Sequence, residues 1–195
     1  MTMTEMSQDI EKTIQRILTD IRVELGDEYD KNFERQGYFG RPWQRRKSPT
    51  RGGGAILIDT GRLRQSLEKR VDGDGSVTFE SRLPYAAIHN EGGEIRVTRK
   101  MKAYFWARYR ETRGALGRKK SGELRKDKRN ERLSNEAAFW KAMALKKVGD
   151  TIKMPERRFV GYGPEAEKIV RDIVEKHVEE SVKIEFEQLK NNTQQ

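Results

Sequence analysis

A chain of 195 residues with 34% hydrophobic and 37% charged side chains can hold one domain with a real core, but it is short of apolar residues for a large one. With no cysteine, disulfides and thiolate metal sites are excluded, and no apolar run approaches the roughly 20 residues that cross a bilayer. The formal charge of +10 makes proximity to a polyanion physically reasonable, because the excess is concentrated and not spread evenly.

The N-terminus lacks the basic and then apolar layout of a secretion signal, so the chain reads as a soluble protein suited to a reducing cytoplasm. From Met6 to about Phe33, Ile10, Ile14, Ile17, Leu18, Ile21, Leu25 and Tyr29 recur in steps of three and four and predict a long helix with one apolar stripe. A coiled coil would need a longer repeat with a paired seam of its own. The glycines and prolines from Gly37 to Gly54 predict a loop. Phe39, Trp43, Arg45, Arg46, Lys47 and Arg51 in it mix aromatic and basic side chains, a composition that suits base stacking or phosphate gripping. The alternative is structural, with Trp43 plugging the edge of the core. The Gly52-Gly53-Gly54 run is no phosphate-binding loop, since the Lys-Ser/Thr that should end one is missing.

Ile58 to Leu67 reads as a strand running into a short helix, with Asp59 or Thr60 as its cap, Gly61 allowing a tight turn, and Leu63 and Leu67 sharing a face. Asp-Thr-Gly also matches an aspartic-protease turn, but a basic helix follows where an apolar strand belongs. Glu68–Val71 and Val77–Ser81 flank Asp72-Gly73-Asp74-Gly75 and predict a hairpin with one wet face. The spacing of a calcium loop is absent there.

Pro84 starts a short helix in which Tyr85, Ile88 and His89 share a face, and Gly92 ends it in a left-handed conformation. His89 and Glu91 are the nearest approach to a metal or acid-base pair. The only other histidine, His177, lies far along the chain, so a core or interface histidine is the better reading.

Glu94–Thr98 and Asp150–Met154 alternate and are expected to pair, which makes residues 99–149 an excursion with closed ends. The excursion opens with Tyr104, Phe105, Trp106 and Tyr109. Between Arg108 and Arg132 it carries eleven Lys and Arg against four Asp and Glu, so it holds +7 of the chain's +10. Its cations Arg108, Arg110, Arg113, Arg118, Lys119, Lys120, Arg125, Lys126, Lys128 and Arg129 are candidate contacts for DNA or a protein partner. Part of the arm is expected to be mobile when unbound, and Ser134 is the predicted cap of a helix reaching Val148. Pro155 restricts Met154 to extended geometry. From Pro164 to about Leu189 the residues Ala166, Ile169, Val170, Ile173, Val174, His177, Val178 and Val182 make a second stripe, the natural partner of the first.

The fold class is therefore α+β: a small antiparallel sheet packed with long N- and C-terminal helices, and a basic helical arm inserted between two strands. Residues 1–98 and 150–195 are expected to form one core, with 99–149 as the arm. An enzyme is disfavoured, because the clustered carboxylates of a metal-dependent nuclease cannot be assembled from these spacings.

Three blocks carry a family resemblance: Leu57–Leu67, Tyr85–Gly93 and Met154–Gly161, with Trp43 at an aromatic position upstream. In this order they resemble the phage virion morphogenesis or tail-completion family of Mu-like phages, over about Trp43 to the last helix with the arm largely outside. The resemblance implies a structural subunit with no catalytic residues, metal or cofactor. Its motif positions here are Trp43, Asp59, Thr60, Gly61, Leu63, Ser66, Tyr85, His89, Gly92, Gly93, Pro155, Arg157 and Phe159. It further implies a homo-oligomer, expected to be a hexameric ring, at the head-tail junction or tail end. Other neck, connector and tail-tube proteins would be its partners, packaged DNA a candidate contact, and no membrane is involved. The location implied is the virion, with the host cytoplasm during assembly. The alternative is a nucleic-acid-binding protein that uses the basic arm.

Overall fold

The computed structural model describes residues 3–46, 49 and 54–193, so Lys47, Arg51, Gly52 and Gly53 lie outside the described residues. In chain order the elements are α1 (Met3–Arg35), β1 (Gly37–Tyr38), β2 (Arg41–Pro42), α2 (Arg62–Gln65), β3 (Leu67–Val71) and β4 (Val77–Ser81). They continue with α3 (Ala86–Glu91), β5 (Gly93–Arg96), α4 (Arg99–Gly114), α5 (Lys128–Leu145), β6 (Thr151–Met154) and α6 (Pro164–Thr193). The fold is α+β, and its strands form three antiparallel pairs: β1 with β2, β3 with β4, and β5 with β6. Two compact units result, one of Met1–Trp43, Thr60–Ala86 and Arg158–Gln195, the other of Gln44–Asp59 and Ala87–Arg157.

In the first unit the stripes of α1 and α6 meet. Ile21, Leu25 and Tyr29 pack with Ala166 and Ile173, and Leu67, Val77 and Phe79 of the β3–β4 hairpin close the same core. Tyr29 reaches Gly161 before the start of α6 while Asp20 meets His177 further along it, so the two helices run antiparallel. The hairpin keeps the register Leu67↔Ser81 to Val71↔Val77, with Glu68, Arg70 and Glu80 on its wet face. The segment expected to be all loop contains the two-residue ladder of β1 and β2, in which Pro42 pairs opposite Gly37.

The turn at Asp59–Ser66 differs from the sequence reading. The described residues 54–61 form no strand, and α2 is only four residues long. Gly61 occupies the N-cap with φ 77° and no side-chain cap bond, so neither Asp59 nor Thr60 caps the helix and both are exposed. The motif needs glycine here because its backbone is left-handed. Ser66 ends the helix, its hydroxyl donating to Leu63 O at 2.7 Å, so Leu67 begins β3 and does not share a helical face with the buried Leu63.

In the second unit β5 and β6 pair from Gly93↔Met154 to Arg96↔Thr151, and Val97 N–H extends the ladder to Asp150 O at 2.8 Å. The arm leaves and returns at this ladder as an antiparallel helical hairpin of α4 and α5. Phe105 stacks on Trp140 at 6.0 Å, and Thr112, Ala137 and Ala144 are buried. Asp127, not Ser134, caps α5, its carboxylate accepting from Asn130 N–H at 2.8 Å, and the helix ends at Leu145. Asp127 is the first acceptor with three helical residues after it, whereas Ser134 comes two turns too late and lies inside the helix.

Candidate assembly surface

Arg158–Gly161 has no regular secondary structure, so its backbone acceptors must find partners elsewhere. Side chains of the first unit supply them. Asn32 Nδ2 donates to Phe159 O at 3.1 Å, Trp43 Nε1 to Arg158 O at 2.7 Å, and both Tyr29 and Tyr38 to Gly161 O at 2.9 and 2.5 Å. Burial pushes the Tyr29 hydroxyl up to about 12, so it remains a donor at any physiological pH. Phe159 and Trp43 bury their rings against Phe33, at centroid distances of 5.2 and 5.7 Å. The segment is thus a strap tied onto α1. Arg64 adds a second tie, forking onto Asp30 with Nε at 2.6 Å and onto Glu34 at 2.7 Å, which holds Asp30 below the usual carboxylate range. Ser66 Oγ meets Ser81 Oγ at 2.7 Å across the hairpin. Asn32, Tyr38 and Arg64 carried no signal in the sequence reading, although Arg64 stands in its first motif block.

The second and third blocks meet in the second unit. Arg157 N–H donates to His89 O at 2.9 Å, and its Nε to Gln44 O at 3.1 Å. Gly92, at φ 72°, leaves room for the chain at Glu156, and Gly93, at φ 131°, opens the β5–β6 ladder. Pro155 is half-buried beside them, while Tyr85 stands in the turn before α3 at 39% exposure. Burial, then the charges of Arg157 and Arg46, hold the His89 ring below its ordinary value. A depressed histidine value means that the unfolded chain binds the proton first. Stability should therefore fall as the pH drops below about 6.5. Thermal melts of the wild type and His89→Gln between pH 7.5 and 5 check this: the wild type should lose stability more steeply, and parallel profiles would contradict it.

The arm cations divide sharply. Arg108 pairs with Glu111 at 2.6 Å and Glu136 at 3.7 Å and lies over Trp140, so it belongs to the hairpin's own packing. Lys119 pairs with Glu123 at 3.5 Å. Among the described residues Arg110, Arg113, Arg118, Lys120, Arg125, Lys126, Lys128 and Arg129 take part in no ion pair, and all are exposed. In the first unit Lys12, Lys31, Arg35, Arg41, Arg64, Lys69, Arg70, Arg82 and Arg171 are each paired, while cations such as Arg16, Arg22, Arg62, Lys168 and Lys176 are in no ion pair among the described residues. The arm tip is a built structure. The buried Asn130 accepts from Gly117 N–H at 2.9 Å and donates to Gly117 O and Arg125 O at 2.7 and 2.8 Å, which clamps the turn carrying residues 118–125 onto α5.

The last helix carries two apolar stripes, not one. Ala166 and Ile173 are buried and His177 contacts Asp20, but Val178, Val182 and Phe186 are 51%, 48% and 62% exposed. Five residues of α-helix turn about 140°, so Val178 points well away from the Ile173 side, and steps of four keep Val182 and Phe186 with it. Ile10 and Ile14, on the α1 stripe beyond Ile17, are also largely uncovered, at 58% and 45%. Among the described residues no three His, Asp or Glu side chains gather as a metal site would require.

A subunit whose motif residues tie its own chain together, and whose uncovered surface is apolar helix and unpaired cation, is organised for association. It belongs to the phage virion morphogenesis family, whose model matches residues 2–179. That range begins with α1 and spans the arm, wider than the resemblance read from the three blocks. No curated protein and no solved structure matches the chain. Membership makes it a structural, virion-assembly protein of a phage. No described helix is long and apolar enough to cross a membrane.

Proposed function

We propose that this virion-assembly protein works at the head-tail junction as a tail-completion or neck subunit, forming a closed homo-oligomeric ring of six copies that meets connector and tail-tube proteins. The uncovered apolar surface of the two long helices carries this reading: Ile10, Ile14, Val178, Val182 and Phe186 stand 45–62% exposed on elements that continue past the core they serve. Native mass measurement of the full chain, alone and with connector and tail-tube proteins, should show a defined oligomer. A monomer under every condition would overturn the reading.

The unpaired cations of the arm favour a second reading, sequence-independent nucleic-acid binding. It requires salt-sensitive affinity for a DNA duplex that disappears when residues 108–132 are removed.

A further inference from the structure

The same chain holds an uncompensated charge of each sign. Segment 118–132 has eight Lys and Arg against three Asp and Glu, net +5, and segment 175–187 of α6 has five Glu against two Lys, net −3. The acids of α6 are arranged around its second apolar stripe: at helical spacing Glu175, Glu179 and Glu185 flank Val178, Val182 and Phe186. All three glutamates are exposed, and none is in an ion pair among the described residues. The arm offers the complementary shape. Leu124, 41% exposed, lies in an open hollow of about 870 Å³ at the arm tip, whose walls carry Lys119, Arg125, Lys126 and Lys128 beside Glu123, Asp127 and Glu131, so that the positive excess belongs to the tip as a whole. Asn130 fixes the turn that forms one side of it.

We infer that the acidic, apolar outer face of α6 in one copy docks onto the basic tip of the arm in the next, over the hollow that holds Leu124. This rests on the ring reading above and specifies its contact. Two different surfaces of one chain that fit each other make a head-to-tail contact, which closes into a ring when the rotation between copies allows. Phe186 supplies the apolar anchor, with Leu124 beneath it, and the glutamate-to-lysine pairs around them set register and exclude the reversed pairing.

A charge swap tests this on the full chain. Variant one carries Arg125→Glu, Lys126→Glu and Lys128→Glu; variant two carries Glu175→Lys, Glu179→Lys and Glu185→Lys. Each alone gives the two facing surfaces net charge of one sign and should lose its rings under conditions where the wild type forms them. Mixed in equal amounts they should form alternating rings, and a chain carrying both sets should ring by itself, which also shows that the substitutions do not unfold it. Rings from either variant alone, or none from the mixture and the double set, overturn the inference while leaving the ring reading standing. An arm variant that keeps its rings and loses only its affinity for a random-sequence DNA duplex overturns it in favour of nucleic acid. A wild type that forms no rings, even with connector and tail-tube proteins, removes the ring reading and this contact together.

Discussion

Phe33→Ala should lower the stability of the first unit by about 3–5 kcal/mol, the usual cost of emptying a fully buried aromatic site. Phe33 is 0% exposed and is the ring on which Trp43 and Phe159 both rest. Its removal opens a cavity beneath the strap, where Asn32 and Trp43 donate to the carbonyls of Phe159 and Arg158. Neighbours cannot easily collapse into the space, because Asn32 is itself fixed by Phe39 N–H at 2.9 Å. Val23→Ala, on the same helix but 44% exposed, serves as the control and should change stability by no more than about 0.5 kcal/mol. Urea denaturation of both variants checks the pair. A Phe33→Ala loss below about 1 kcal/mol would mean that the strap is not seated on α1.

Gly92→Val should be nearly as damaging in the second unit. A Cβ at this position would stand 2.7 Å from Glu156 N and 3.0 Å from Met154 O, both backbone atoms that cannot swing aside. The φ of 72° adds a left-handed penalty of about 1–2 kcal/mol, greater still for a β-branched residue. With overpacking of about 1–3 kcal/mol, the total is on the order of 3 kcal/mol. Gly73→Ala, in the hairpin turn with nothing near its Cβ and no positive φ, should be nearly silent. Thermal melts of the two variants decide it, and equal midpoints would contradict the close approach of Glu156.

What the sequence made legible was periodicity. The stripe from Ile17 to Tyr29, the alternation around Val77 and Phe79, and the matched alternation of Ile95 with Ile152 each specify one element and one face. Position within short elements was harder to read. Asp59 and Thr60 look like caps, but a four-residue helix entered through a left-handed glycine makes no use of them. Sequence spacing joins Val178 and Val182 to the stripe of Ile173, because a run of apolar residues at three and four spacing merges two faces when one of them lies just round the helix. Asn130 could not have been singled out, since its clamp depends on Gly117 and Arg125 returning to it across a turn. The family residues of the third block were visible, but the reason for them was not: they present carbonyls to donors more than 110 residues earlier in the chain.

The proposed ring of this chain's copies at the head-tail junction predicts where they stand in the particle. The most direct measurement is electron cryo-microscopy of the phage particle with a label fused at the turn of the arm, at Ser121. Label density confined to a single collar between capsid and tail, repeated around the tail axis, is the predicted result. Density spread over the capsid or along the tail tube, or none in the finished particle, would contradict it.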